Sequence, residues 1–354
     1  MINGIYKYLL KKTKSIPYPR YLQLEPTTYC NQDCKICMRK YKDKLPRHLT
    51  FLQFSRIIDE VKPKILELSG LGEPFMNHDI FEMFTYARNK GIFISTTTNG
   101  ILLKNLVDKI IMKPPHLIKI SVDSLSCDIF DNIRTRGSFN DLLSSLKAIS
   151  DNKKYLSEKC SLVMQTVVGE KNISHIEDMI GQISEVGFSK ILFKWQEVIS
   201  LENPRFFADT LKDTNTKRYL IKLKNILSKH KVASNIDWLI GIMHKHIESI
   251  EKPSVNFYKD CIMPWFGVFI SVDGCIYPCC KFIFTKGEGQ HIGCYNVDST
   301  DFYSAYNNRQ YSAFREQIIR KKGINSICSK CVPISAFDML KNSVSRINIK
   351  QAYK

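Results

Sequence analysis

The chain has 354 residues, of which 44% are hydrophobic and 24% charged, with 52 Lys and Arg against 34 Asp and Glu. That length buries one large core, or a core with a smaller satellite module, so a globular protein is expected. No run of eighteen apolar residues occurs, and residues 1–14 carry lysines on both sides of a short apolar patch without a small-residue cleavage site. A membrane span and a secretory leader are therefore not expected, and the chain reads as cytoplasmic.

The net charge of +18 is compatible with nucleic acid, an anionic membrane surface or an acidic substrate. Its lysines are scattered along helical faces such as residues 216–231, with no compact basic motif interleaved with aromatics, so no specific nucleic-acid interface is expected. The basic segment 1–20 carries Lys7, Lys11, Lys12, Lys14 and Arg20 without an acid, which leaves weak contact with a membrane surface or a partner open.

From residue 21 apolar runs alternate with helical periodicity. Strand patterns at 21–25, 64–70, 92–100, 116–123, 161–168 and 190–198 are separated by helical patterns. The first of these helices places Phe54, Ile57, Ile58 and Val61 on one face behind a Thr50 cap, and the second ends at Gly91. Strands joined by helical crossovers pair in parallel with right-handed connections. Residues 21–202 are thus expected to form an α/β domain, a partial (β/α)6 barrel, since six units are too few for the closed eightfold barrel. An open doubly wound sheet is the alternative. Residues 203–256 read as a helical, lysine-rich connector bounded by Pro204 and Pro253. Residues 257–334 return to short strands, turns and cysteines, a small module that would depend on metal for its fold, and 335–354 form a basic tail.

Twelve cysteines without a leader point to a reducing compartment, where clustered thiols hold metals more often than they form disulfides. Cys30, Cys34 and Cys37 follow the first strand in the spacing Cys-x3-Cys-x2-Cys. A closed structural site wants four ligands, so three leave one metal corner open. Zinc would need a second pair nearby, and His48 is the sole candidate within reach. A 4Fe-4S cluster on three thiolates keeps one iron free to bind a small molecule through an amine and a carboxylate.

The segment CNQDCKIC resembles the signature of the radical S-adenosylmethionine (radical SAM) superfamily. That resemblance implies a partial barrel whose 4Fe-4S cluster chelates S-adenosylmethionine and releases a 5′-deoxyadenosyl radical when reduced. Further motifs follow the next three strands, where ligand-binding residues of α/β barrels gather. Gly72, Glu73 and Pro74 resemble the GEP segment, with the glycine admitting the methionine amine and Glu73 offering an anionic acceptor. Thr98 and Asn99 stand where the family contacts the cofactor near its ribose, and Ser121 and Asp123 where it reads ribose or carboxylate. Arg134 resembles the arginine that pairs with the methionine carboxylate, with Arg136 as an alternative.

The second cysteine group, Cys261-x12-Gly274-x4-Cys279 with the pair Cys328 and Cys331, resembles the SPASM module or its shortened twitch form. It implies one auxiliary 4Fe-4S cluster on Cys261, Cys279, Cys328 and Cys331, with Cys280 as the alternative to Cys279. Cys275 and Cys294 have no assignment, and a structural zinc ribbon is the bland reading of the module. A single closed auxiliary cluster suits a net two-electron oxidation. The resemblance implies a small substrate such as a sugar or aminocyclitol alcohol, or a peptide in a SPASM-type maturase, with a flavodoxin- or ferredoxin-like electron donor. Asp260, Asp273 and Glu197 are the candidate bases. A zinc-structured nucleic-acid-binding protein and a non-catalytic S-adenosylmethionine-binding accessory protein are readings from other classes.

Overall fold

The computed structural model describes residues 2–41, 45–183, 186, 188–196, 201–252, 261–283, 291–296, 298–320, 326–329 and 331. Two of the candidate bases, Glu197 and Asp260, and the tail 335–354 lie outside the described residues.

Helix Phe51–Val61 starts where the sequence places it. The Thr50 hydroxyl accepts from the Gln53 amide at 3.3 Å while Gln53 Oε1 accepts from the Thr50 amide at 3.2 Å, a reciprocal capping box. Phe54, Ile57, Ile58 and Val61 are all buried, as their spacing predicts. The helix Ile80–Asn89 is followed by Gly91 at φ 68°, the left-handed conformation that suits glycine.

The expected strands appear as β1 (Tyr21–Leu24), β2 (Ile65–Leu68), β3 (Phe93–Thr98), β4 (Leu117–Ser121), β5 (Ser161–Val168) and β6 (Lys190–Trp195). All six are parallel neighbours in chain order. Four more strands join them: β7 (Ala233–Ser234), β8 (Gly267–Ile270), β9 (Cys275–Tyr277) and β10 (Gly293–Cys294). The sheet runs β10-β9-β8-β1-β2-β3-β4-β5-β6-β7 and does not close on itself.

One strand from outside the six-unit core decides the architecture. β8, some 240 residues downstream of β1, pairs parallel to it with Tyr21 opposite Gly267 and Leu24 opposite Ile270. The cysteine-rich segment therefore continues the barrel sheet. Glu25 reinforces the seam: its carboxylate accepts from the Leu71 amide at 2.8 Å and from the Val272 amide at 3.2 Å. The basic N-terminal segment docks here too. The Trp265 indole donates to the Lys12 carbonyl at 2.6 Å, and a β-carbon on Gly4 would lie 2.3 Å from the Trp265 carbonyl oxygen.

Alternation along the strands separates two faces. Leu22, Leu24, Leu66, Leu68, Ile94, Ile118, Ile120, Met164, Ile191 and Phe193 are 0% exposed and form the apolar side. The opposite parity carries Gln23, Glu67, Ser95, Thr97, Lys119, Ser121, Gln165 and Lys194, a polar inner face. No helix among the described residues is long and apolar enough to cross a membrane.

Candidate cofactor and cluster site

Parallel register brings the C-terminal ends of β1 to β4 to one rim, where the sequence motifs meet. The cysteine loop is sewn to its neighbours by backbone hydrogen bonds: the Asp33 amide to the Thr135 carbonyl and the Lys35 amide to the Ile133 carbonyl, each at 2.9 Å. The Glu73 amide donates to the Tyr29 carbonyl at 2.7 Å. Gly72 is required by close approach, since a β-carbon there would sit 2.3 Å from the Thr27 carbonyl oxygen and 2.4 Å from that of Tyr29. Asn99 reaches across from β3, its amide nitrogen 2.6 Å from Asn31 Oδ1 and 4.0 Å from the Cys30 sulfur.

Glu73 does not stand as an acceptor held out to an ammonium group. Its side chain is 2% exposed and already accepts from Thr98 Oγ1 at 2.7 Å, the Asn99 amide at 2.8 Å and the Phe75 amide at 3.2 Å. It ties the β2 loop to the end of β3, and burial pushes its pKa up to about 6 against those donors. Pro74, buried beside it, opens a short 3-10 turn.

Asp123 and Arg134, expected to face the cofactor separately, face each other. Arg134 donates through Nε at 3.1 Å and through Nη2 at 2.7 Å to Asp123 Oδ2, in a pair whose side chains are 8% and 2% exposed. The other Asp123 oxygen accepts from the Val167 amide at 2.9 Å, while Arg134 Nη1 lies 3.4 Å from Gln32 Oε1. Ser121 is half-buried on the inner face opposite Gln165. Gln32 is the residue that sequence reading missed. It is 2% exposed inside the cysteine loop, and its Nε2 has no hydrogen-bond partner among the described residues.

Burial raises the pKa of Cys30 and Cys37 and pushes that of Cys34 up to about 12, with Arg134 pulling the last back down. Yet Cys30, Cys34 and Cys37 do not converge on a point of single-ion size. Among the described residues three such donor atoms come within 4.8 Å of one another only at Cys275, His291 and Cys294. His48, the candidate zinc partner, stacks its ring on Tyr29 with centroids 4.5 Å apart. Three soft, half-buried thiols too widely set for one ion, an orphaned amide and a glycine cradle fit a cluster with one open corner and a small ligand upon it.

The other cysteine set is drawn from both sides of β8 in the chain. Burial raises Cys279 well above the usual thiol range, followed by its neighbours Cys280, Cys331, Cys261 and Cys328. The strongest charge acting on Cys280 is instead the Lys194 ammonium. Cys279 thus lies near Cys261, Cys328 and Cys331 as well as Cys280, and Cys280 lies near both Lys194 and Cys331. Asp273, the remaining candidate base, sits in the turn between β8 and β9 and is ion-paired with Arg47 at 3.0 Å.

The inner face between the two sets holds a charged group that the sequence did not announce. Glu67 receives Lys119 Nζ at 2.7 Å, Thr97 Oγ1 at 2.9 Å and the Ser95 hydroxyl. Burial alone would raise its pKa, but Lys119 and these donors outweigh it and hold the carboxylate below its usual range. Lys194, opposite Val167, stays accessible, and enclosure by protein, then the Lys119 charge, bring its pKa down to about 8. Period-two alternation would have placed these residues on one face, but only the fold brings Cys280 to them.

Comparison with known proteins places the chain in a class. Residues 24–183 match the radical SAM superfamily and residues 261–332 the SPASM iron–sulfur cluster-binding domain. The chain belongs to the radical SAM superfamily and carries a SPASM domain, so its cofactors are a 4Fe-4S cluster with S-adenosylmethionine and auxiliary iron–sulfur ligation. Over 345 residues it is 22% identical to the tungsten-containing aldehyde ferredoxin oxidoreductase cofactor-modifying protein of Pyrococcus furiosus, covering 92% of this chain and 90% of that one. It is 30% identical over 178 residues to the AdoMet-dependent heme synthase of Methanosarcina barkeri, covering 48% of each chain. The fold is similar to that of Streptococcus suis SuiB bound to precursor peptide SuiA, with a TM-score of 0.64 and 13% identity over 96% of this chain and 76% of that one. It is similar also to anSMEcpe with bound AdoMet, with a TM-score of 0.62 and 16% identity over 92% and 91% of the two chains.

Proposed function

We propose that this radical SAM enzyme is a maturase that cleaves S-adenosylmethionine and takes hydrogen from a peptide or cofactor precursor bearing an anionic group. Oxidation of a sugar or aminocyclitol alcohol, the expected reaction, finds no support among the relatives, whose names are those of cofactor-modifying proteins, maturases and cyclases. Family membership likewise displaces the zinc-structured nucleic-acid reading.

When bound and reduced, the rim cluster supplies the electron that splits the sulfonium. The chain's own residues do the rest. Cys30, Cys34 and Cys37 would hold that cluster, and the Gly72 backbone would lie beside its open corner. Arg134 and Asp123 would fix the rim against the end of β5 through the Val167 amide, with Gln32 Nε2 left as a donor for the cofactor. Cys261, Cys279, Cys328 and Cys331 would hold the auxiliary centre as an electron acceptor. A flavodoxin- or ferredoxin-like donor would reduce the rim cluster.

The observation that carries the reading is the charge set on the inner face. Lys119 is neutralised by Glu67, whereas no carboxylate among the described residues pairs with Lys194, leaving an accessible ammonium on the inner face near Cys280. An anionic group on the substrate would complete it.

The test is anaerobic reconstitution with a reductant, following 5′-deoxyadenosine with free-acid and amidated forms of a candidate precursor. The free acid is expected to be preferred, and Lys194→Met to raise its KM by about 10- to 100-fold, the range for a hydrogen bond to a charged group, with little change for the amide. Equal turnover of both forms by wild type and variant would sink the reading.

A further inference from the structure

Cys275, His291 and Cys294 belong to neither cysteine assembly described above, and the barrel chemistry has no use for them. From their arrangement we propose a third metal site, a zinc ion held by two thiolates and one imidazole across the β9–β10 hairpin, independent of the maturase reading.

Spacing is the first ground. The three donor atoms all lie within 4.8 Å of one another, with the Cys294 sulfur 3.7 Å from His291 Nδ1. Around a tetrahedral zinc, bonds of about 2.3 Å to sulfur and about 2.0 Å to nitrogen put ligand atoms roughly 3.3–3.8 Å apart. The set needs only a small inward adjustment to close on an ion. The rim thiols Cys30, Cys34 and Cys37 lack this spacing among the described residues, which suits a cluster and not an ion.

The scaffold is the second. Cys294 stands directly opposite Cys275 in the antiparallel ladder of β9 and β10. The Tyr295 amide donates to the Gly274 carbonyl at 2.7 Å, and Gly274 is at φ 78°, where a β-carbon would lie 2.3 Å from the Tyr295 carbonyl oxygen. The Ile292 amide donates to the Ile276 carbonyl at 2.9 Å, and Asn308 Nδ2 to the Ile292 carbonyl at 2.7 Å. The backbone around the two cysteines is thus fixed before any ion arrives, so binding need not order a loop at those positions.

Donor chemistry is the third. Two thiolates with an imidazole select zinc over magnesium or calcium, which take oxygen. Cys275 is half-buried while His291 and Cys294 are exposed, so an ion enters from solvent. Binding releases the two thiol protons to water, and the fourth position falls to a water molecule. The ladder it spans has two residue pairs, so the ion would act as a clamp on the hairpin.

The test uses full-length protein from zinc-supplemented culture, reconstituted anaerobically with iron and sulfide and passed over a chelating resin. Zinc and iron are then measured together by plasma mass spectrometry. Wild type and Cys127→Ser, which alters an exposed cysteine elsewhere, should each retain about one zinc per chain, falling to about a tenth or less in Cys275→Ser/Cys294→Ser with iron unchanged. Zinc-edge X-ray absorption of the wild type should show two sulfur and one nitrogen neighbour. The proposal is overturned by trace zinc in wild type, by equal zinc in the double variant, by sulfur-only or oxygen-only ligation, or by a Cys275–Cys294 disulfide in the anaerobic protein's peptide map.

Discussion

The rim loop and the auxiliary segment both gather cysteines, but they are held in place by different means. Cys30, Cys34 and Cys37 lie in a loop whose amides and side chains bond to the ends of several strands and to residues 133–135. Cys261, Cys279, Cys328 and Cys331 come from short pieces: an isolated bridge residue, the second residue after a three-residue strand, and the neighbourhood of helix Ser326–Ser329. A set of ligands positioned by protein can leave a coordination corner open, whereas one positioned by metal needs all four ligands to close it.

The sharpest way to break this comparison is to remove one ligand from each side. Cys34→Ala should abolish 5′-deoxyadenosine formation, at least about 100-fold by chromatographic assay, while leaving the folded barrel's circular dichroism intact. Iron should fall by about half, the auxiliary share remaining. Cys328→Ser should also halve the iron but spare cleavage of S-adenosylmethionine, and should lower the melting temperature more than Cys34→Ala does. Equal melting temperatures would show that the auxiliary segment folds without its metal.

A smaller effect tests how the rim is braced. Arg134→Met leaves Asp123 charged and without its buried partner, which costs about 3–5 kcal/mol of folding stability, measurable by denaturant titration. Replacing both residues by apolar ones of similar volume should recover most of that loss. If Arg134→Met is nearly neutral, the pair does not brace the site.

The smallest effect is pH-dependent and lies away from both metal centres. His116 Nδ1 accepts the Ile94 amide at 3.1 Å between β3 and β4, and burial, then the Arg88 charge, lower its pKa to about 4. A base whose folded pKa lies below its unfolded value of 6.5 contributes stability that is present above pH 6.5 and is lost as pH falls toward 4. Melting curves should decline over that window and flatten in His116→Asn. A decline of the same size in the variant would assign the loss to other groups, His246 among them, whose pKa burial also lowers to about 4.

Much of the site was legible before folding. Motifs at the ends of successive strands fall on one rim because parallel pairing puts those ends side by side, so Gly72, Thr98, Asn99 and Asp123 could be placed by counting strands. What they do there could not be read the same way. Glu73 has the charge to receive an amine, but Thr98, Asn99 and Phe75 already donate to it, and a one-letter pattern does not record which donors are near. Arg134 and Asp123, eleven positions apart, gave no sign of pairing with each other. Gln32 has no motif of its own and gains its place from burial against the arginine.

The sequence by itself determined the alternation of strand and helix, the open three-cysteine spacing and the four-cysteine set, because periodicity and ligand spacing are local properties of the chain. Only the tertiary structure decided that β8 extends the barrel sheet beside β1, that Lys194 comes within electrostatic reach of Cys280, and that Cys275, His291 and Cys294 meet at ion spacing. Those outcomes join residues far apart in the chain, and such pairings are fixed by which edges and faces are left to be buried once the local elements have formed.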